Sequence, residues 1–211
     1  MSDSYVIYVC DTETTGLDIN DHEIIELSLY RLNLEDPSKD EQKTWLLRAL
    51  KPETITAEAL KINGHIREDV LGLTEKGKKE YRHPIDVLTE IEAWIGQDDM
   101  SANDRVMAGQ NVAFDYDRMI SLWKRHDSLD TFPFTLSHNR LILDTLLLTI
   151  MLDVCMSKKR EAYNLGSLIK AFGIKKEKAH RADADVRMTK DLLVKIIKEL
   201  KPACKVFEDC F

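Results

Sequence analysis

Two hydrophobic rhythms follow one another along this chain. Over roughly the first fifty residues, apolar positions come in short runs rich in β-branched and aromatic side chains. Residues 5–10 (YVIYVC) read as a buried strand, 24–34 alternate loosely as a second, and 44–50 supply a third. A polar turn, Asp36-Pro37-Ser38-Lys39-Asp40, separates the second from the third. The spacing then changes to three and four. Residues 56–62 predict a short helix with Thr56 as its N-cap. In 84–95, Ile85, Leu88, Ile91, Trp94 and Ile95 fall on one helical stripe. A short strand at 104–108 leads to a helix at 114–126, with Met119, Ile120, Leu122 and Trp123 facing inward. A strand at 140–143, a helix at 145–156 and a helix at 164–172 closed by Gly173 follow. The last helix spans 183–200 and is expected to stop at Pro202, leaving 201–211 as a loose tail. Three strands running into alternating helices and strands predict an α/β architecture, a mixed β-sheet flanked by α-helices. No repeat or linker interrupts the pattern, so one domain is expected, with its core at about 5–200.

Composition narrows the class. Apolar residues are 44% and charged residues 32%, ordinary for a globular protein in water. No apolar run approaches the ~20 residues that cross a bilayer; the longest, 141–154, is broken by Asp144, Thr145, Thr149 and Asp153. The first four residues lack the basic start of a secretory signal. Cys10, Cys155, Cys204 and Cys210 form no C-x-x-C pair and fit no zinc spacing. Reduced thiols, a cytoplasmic location and no membrane association are the expectation.

Net charge is −7, which argues against a long nonspecific grip on duplex DNA. An enzyme that holds only a few nucleotides is still allowed. The charge is also uneven. From 158 to 181 stand eight basic residues (Lys158, Lys159, Arg160, Lys170, Lys175, Lys176, Lys178 and Arg181) against Glu161 and Glu177, a local +6 that leaves −13 elsewhere. Such a run is either a solvated face or a surface that attracts phosphate.

The candidate chemistry lies in carboxylates. Asp11 and Glu13 follow the first predicted strand at a spacing of two, which in extended chain puts both on one face. Two like charges that close repel, and a hard cation with a preference for oxygen would make them useful. Alone, D-x-E is a common surface pattern. Thr14-Thr15-Gly16-Leu17 then forms a polar turn whose backbone can lie close to a ligand at Gly16. Asp115 opens a helix just after Asn111-Val112-Ala113-Phe114; by itself it would be an acid complementing the helix dipole. His180-Arg181-Ala182-Asp183-Ala184-Asp185 brings a histidine and a first-turn acid to the last helix. Asp117 and Asp183 read as exposed helix residues.

Together these segments resemble the DEDDh branch of the DnaQ-like exonucleases. Asp11 to Leu17 matches the first motif, Asn111 to Asp115 the second, and His180, Ala182 and Asp185 the third, H-x-A-x-x-D. The sister branch carries tyrosine four residues before the last aspartate, where this chain has Arg181. ALKINGHI at 59–66, Asp144-Thr145-Leu146 and the helix from Asn164 to Gly173 are secondary matches, so the resemblance covers roughly 5–200. One departure is Gln110, where many members have histidine before the asparagine.

The resemblance, which extends to polymerase III epsilon-type proofreading exonucleases and to RNase T, implies an RNase H-like fold with a five-stranded mixed sheet. It implies two divalent ions, Mg²⁺ with Mn²⁺ as substitute, held by Asp11, Glu13, Asp115 and Asp185. Asp11 would bridge both ions, and Asp115 would bind directly or through water. Two such ions suit an anionic phosphodiester, because they offset its charge and stabilise attacking and leaving oxygens together. His180 would be the general base, since an imidazole with a reference pKa of about 6.5 works near neutral pH. Thr14, Thr15, Gly16, Leu17, Asn63, Asn111 and Phe114 would meet the substrate. The implied activity is 3′→5′ hydrolysis at a free nucleic-acid end, releasing nucleoside 5′-monophosphates, with single-stranded DNA favoured over RNA and a polymerase as a possible partner. Two alternatives stay open: an exoribonuclease resembling RNase T or oligoribonuclease, and a catalytically silent module docked on a polymerase.

Overall fold

The structure, a computed structural model, describes residues 5–136, 140–177 and 180–208, with side chains to residue 200. Five strands form one mixed sheet: β1 (Val6–Thr14), β2 (Ile24–Leu32), β3 (Glu41–Leu46), β4 (Arg105–Gly109) and β5 (Ile142–Asp144), in the order β3-β2-β1-β4-β5. The first three are antiparallel, and β4 and β5 run parallel to β1. The helices are α1 (Ala57–Asn63), α2 (Arg67–Val70), α3 (Glu75–Glu80), α4 (Pro84–Ile95), α5 (Ala113–Arg125), α6 (Thr145–Cys155), α7 (Leu165–Ala171) and α8 (Ala182–Glu208).

β1 lies at the centre, and its two faces make two cores. Tyr8 and Cys10 point into a cluster with Leu88, Ile91 and Trp94 of α4 and Met119 and Trp123 of α5. Ile7 and Val9 point the other way, against Val186 and Leu193 of α8. α7 packs on α8 through Leu168, Ile169, Leu192 and Ile196. Each fully buried aliphatic side chain contributes roughly 1.5–3 kcal/mol. Thr56 does cap α1, accepting from the Ala59 amide, and Gly173 adopts φ +60 just past α7.

Several boundaries differ from those the pattern predicts. β1 continues through Asp11, Thr12 and Glu13 to Thr14, because β2 pairs with each of them, with one slip in register before Thr14. Asp11 and Glu13 therefore lie within the strand and not after it. β3 begins earlier and ends sooner, since its polar half, Glu41 to Thr44, pairs with Arg31 to Ser28 on the sheet's edge. The polar turn at 36–40 contains a 3₁₀ turn, Pro37–Lys39. α8 does not stop at Pro202 but runs on to Glu208. A proline's φ suits a helix, its cost is one amide and local crowding, and the good helix formers on either side carry the turn through.

Candidate active site

The site assembles at one end of β1. In strand geometry Asp11 and Glu13 share the face of Ile7 and Val9, the face that α8 covers. Opposite Glu13 in register stands Glu26 of β2. The register slips between Glu13 and Thr14, where one step on β1 faces two on β2, so the extra residue is Ile25 of β2.

Asp115 arrives from the other layer. Its approach depends on Asn111, which sits at φ +58, a left-handed turn asparagine tolerates better than most residues. The Asn111 amide donates to Asp144 Oδ1 at 3.0 Å, and the same oxygen accepts from Leu146 at 2.9 Å while capping α6. One carboxylate thus fixes both the turn into α5 and the start of α6. Thr12 Oγ1 then donates to Asp115 Oδ1 at 2.7 Å.

His180 and Asp185 come with α8. The His180 amide donates to Asp185 Oδ2 at 2.9 Å, and His180 itself sits at φ +62. Its ring is exposed, whereas Asp185 is buried. Ligand atoms of Glu13, His180 and Asp185 all lie within 4.8 Å of one another.

Burial and mutual repulsion drive these acids toward the protonated form. Asp11 is raised well above the ordinary range by burial and by the charges of Asp115, Asp185, Glu13 and Glu26. Glu13 is pushed up to about 8 by burial, Asp185, Glu26 and Asp115, with Arg181 opposing. Asp115 rises to about 7 through burial, although the Thr12 hydroxyl and amide hold it down. Asp185 is raised by burial against the pull of the His180 amide. Asp185 Oδ1 is also buried without a hydrogen-bond partner. Clustered oxygen donors that repel one another, one of them orphaned, fit a hard divalent cation.

Beside the acids opens a cleft of about 480 Å³, lined among others by Glu13, Thr14, Gly16, Leu17, Asn63 and Phe114. Leu17 is 82% exposed and forms one lip. Arg118, buried on α5, donates to the carbonyls of Leu17 and Asp18 and lies 4.7 Å from the Phe114 ring centroid. At Gly16 a Cβ would come within 2.4 Å of the His22 ring, so any larger residue there would have to displace that side chain. Asn63 also has internal work, donating to the Thr14 carbonyl at 3.1 Å. Two expected substrate residues do not line the cleft. Thr15 is fully buried and spends its polar groups on Glu23 and Thr56. Asn111 is exposed at the turn.

Gln110 donates to the Tyr163 carbonyl at 2.8 Å and accepts from Thr145 at 2.6 Å, so it braces α6 and the approach to α7. Asp117 and Asp183, expected to be exposed helix residues, are half-buried on α5 and α8, where Asp117 pairs with Arg140 and Asp183 with Arg187. Of the basic run, Arg160 is buried against Asp153 and Arg181 pairs with Glu26, whereas Lys158, Lys159, Lys170, Lys175 and Lys176 are exposed. Lys178 lies outside the described residues. Cys10 is buried and Cys155 exposed, both as free thiols. Among the described residues no helix is long and apolar enough to cross a membrane. Glu26, Arg118 and Asp144 were not singled out by sequence pattern, although Asp144 stood in a matched segment.

Residues 8–193 match a family model described as exonuclease. A DNA polymerase III PolC-type protein of Staphylococcus epidermidis is 28% identical over 199 residues, 94% of this chain and 12% of that protein. The chain thus spans about an eighth of the length of such curated relatives. E. coli exonuclease I in complex with a dT13 oligonucleotide superposes with a TM-score of 0.74 at 16% identity, over 96% of this chain and 43% of that one. The zinc-bound form of an E. coli exonuclease I–single-stranded DNA complex gives 0.70 at 18% identity, over 94% and 41%.

Proposed function

This chain belongs to the DnaQ-like exonuclease family, with an RNase H-like fold, and from that premise we propose that it is a divalent-metal-dependent 3′→5′ exonuclease of the DEDDh type, releasing nucleoside 5′-monophosphates from single-stranded DNA ends. The observation that carries the reading is the meeting of Glu13, His180 and Asp185 within 4.8 Å, beside a cleft and around an orphaned carboxylate oxygen.

Asp11, Glu13, Asp115 and Asp185 are the residues that would hold two Mg²⁺ ions. Such ions, when bound, offset the phosphodiester's charge and make water a stronger nucleophile near neutral pH. The side chains supply the rest. His180, exposed at the site's mouth, accepts the proton of the attacking water. Asp185 holds the His180 backbone in place through its Oδ2. Leu17 and Phe114 offer apolar surface to the terminal base, as aromatic and aliphatic walls do in single-strand binding. The exposed lysines at 158–176 add positive charge that attracts phosphate. The polymerase relatives and the oligonucleotide-bound neighbour support DNA as the polymer, and make a polymerase a natural partner.

The direct test is nucleotide release from an end-labelled oligonucleotide with Mg²⁺ against the same reaction with chelator. DNA and RNA versions run in parallel decide the sugar preference. Activity that persists in excess chelator overturns the metal-dependent reading.

Two further outcomes follow. The cleft lies within the ~300–1,000 Å³ typical of small-ligand sites, matching an end better than a continuous strand. Circular single-stranded DNA is therefore expected to survive conditions that consume its linear form. Rapid cutting of the circle would reveal an endonuclease. Arg118→Lys keeps the charge but loses the fork that grips two carbonyls and lies beside Phe114. It is expected to raise KM about tenfold with kcat little changed, measured on a short oligonucleotide. A fall in kcat at constant KM would remove Arg118 from the cleft's construction.

A further inference from the structure

A second set of buried polar groups lies beside the carboxylates, and the chemistry above does not use it. Glu26 is fully buried, in register with Glu13. A buried carboxylate is costly unless paired. His65 Nε2 lies 2.8 Å from Glu26 Oε2, and Arg181 Nε lies 3.2 Å from the same oxygen. Glu26 Oε1 has no hydrogen-bond partner. His65 is itself buried, and its Nδ1 meets the Tyr81 hydroxyl. With Nε2 directed at the carboxylate, Nδ1 is left to the Tyr81 hydroxyl, so both ring nitrogens are engaged. His65 follows α1 and Tyr81 follows α3, so Glu26 is clamped from that side of the fold.

Arg181, on the other side, is the residue after His180. Its carbonyl accepts the amides of Ala184 and Asp185 and so starts α8. His180 holds φ +62, a conformation that persists in a non-glycine residue only when its surroundings over-determine it. Two contacts are placed to do so: the hydrogen bond from its own amide to Asp185, and the charge pairing of its neighbour with Glu26, at 3.2 Å though without hydrogen-bond alignment.

We propose that Glu26 is a positioning residue. Its ion pair with Arg181 holds the turn from His180 to Asp185 over the acidic face of β1, and His65 and Tyr81 hold Glu26. The inference rests on the reading of His180 as the base, and is tested in the full chain with two variants. Glu26→Gln keeps the shape and removes the charge. Arg181→Gln breaks the pair from its more exposed end, where folding is least at risk.

Each variant is expected to lower kcat about 10- to 100-fold, with KM within about twofold. In a His180→Ala background neither should cost more than about twofold further, because the residue it positions is gone. Amide hydrogen exchange in metal-free protein gives a readout independent of activity. The amides of residues 180–185 are expected to exchange about tenfold faster in both variants, with the β1–β4 ladder unchanged in Arg181→Gln. Unaltered exchange at 180–185 overturns the proposal, as does a kcat loss that persists in full without His180. If the unsubstituted chain degrades no nucleic acid, the functional reading fails, and the exchange comparison still decides whether Glu26 anchors the turn.

Discussion

Alanine at His180 is expected to lower kcat by about 10²–10⁴ while the affinity for Mg²⁺ changes little. His180 is exposed, whereas Glu13 is half-buried and Asp185 buried, and it stands at the edge of their group. An exposed imidazole exchanges protons with water freely, as a base must between turnovers. The backbone contact from His180 to Asp185 does not involve the ring, so it survives truncation. Alanine at φ +62 carries its own strain, and His180→Asn serves as a control because asparagine tolerates that turn. Single-turnover rates and metal titration separate the outcomes. Near-normal turnover at pH 7 in both variants removes His180 from the chemistry. A collapse of metal affinity instead makes the ring a ligand, which its distance from Glu13 and Asp185 also allows.

The second large effect is on stability. Glu13 is held near 8 and Asp115 near 7, against ordinary values of 4.5 and 3.8. A carboxylate whose folded pKa is raised binds its proton more tightly in the native state. Its contribution is fully present below the unfolded value, and is lost as pH rises through the folded one. The metal-free protein should therefore lose stability from these groups between about pH 4 and pH 8. Glu13→Gln, which mimics the protonated form, should melt above the unsubstituted protein at pH 8 without metal, and the difference should vanish near pH 4.

Mg²⁺ or Mn²⁺ is expected to reverse the deficit by binding the native state. At a hundredfold excess over Kd the gain is about 2.7 kcal/mol, a rise in Tm of about 5–10 °C for a chain of this size. Glu13→Gln should gain far less. Thermal melts across pH, with and without metal, check both halves. A metal-free Glu13→Gln protein that melts no higher at pH 8 and gains as much from Mg²⁺ would show that these acids do not act as a cluster.

The acids were legible in sequence because each stands beside a recognisable pattern. Asp11 and Glu13 follow a β-branched run, Asp115 opens a helix, and Asp185 lies in the first turn of the last one. What escaped has a physical reason in each case. Glu26 is one acid inside the apolar run Ile24–Leu32, where pattern alone gives no partner; only the ladder puts it opposite Glu13. Arg118 looks like a helix surface residue until α5 is laid against the segment after β1, whose carbonyls it satisfies. α2 and α3, four and six residues of mostly charged sequence, are too short to show a stripe. β1 outlasted its apolar stretch because pairing sustains a strand where hydrophobicity does not.

The bulge between Glu13 and Thr14 makes the site sensitive to parity. Side chains on a strand alternate, so one residue inserted or deleted within 6–11 would exchange the faces of everything after it. Asp11 and Glu13 would then point toward α5, and Thr12 toward α8, with both cores inverted along that stretch. Beyond Glu13 the register has already slipped, and after Thr15, whose amide still donates to the Glu23 carbonyl, the chain leaves the sheet for the lip at Leu17. Length changes can be absorbed there without turning a carboxylate over. Natural variation in length should therefore collect on the far side of that bulge, in the connection to β2, and leave the stretch before it invariant in residue count even where its residues differ.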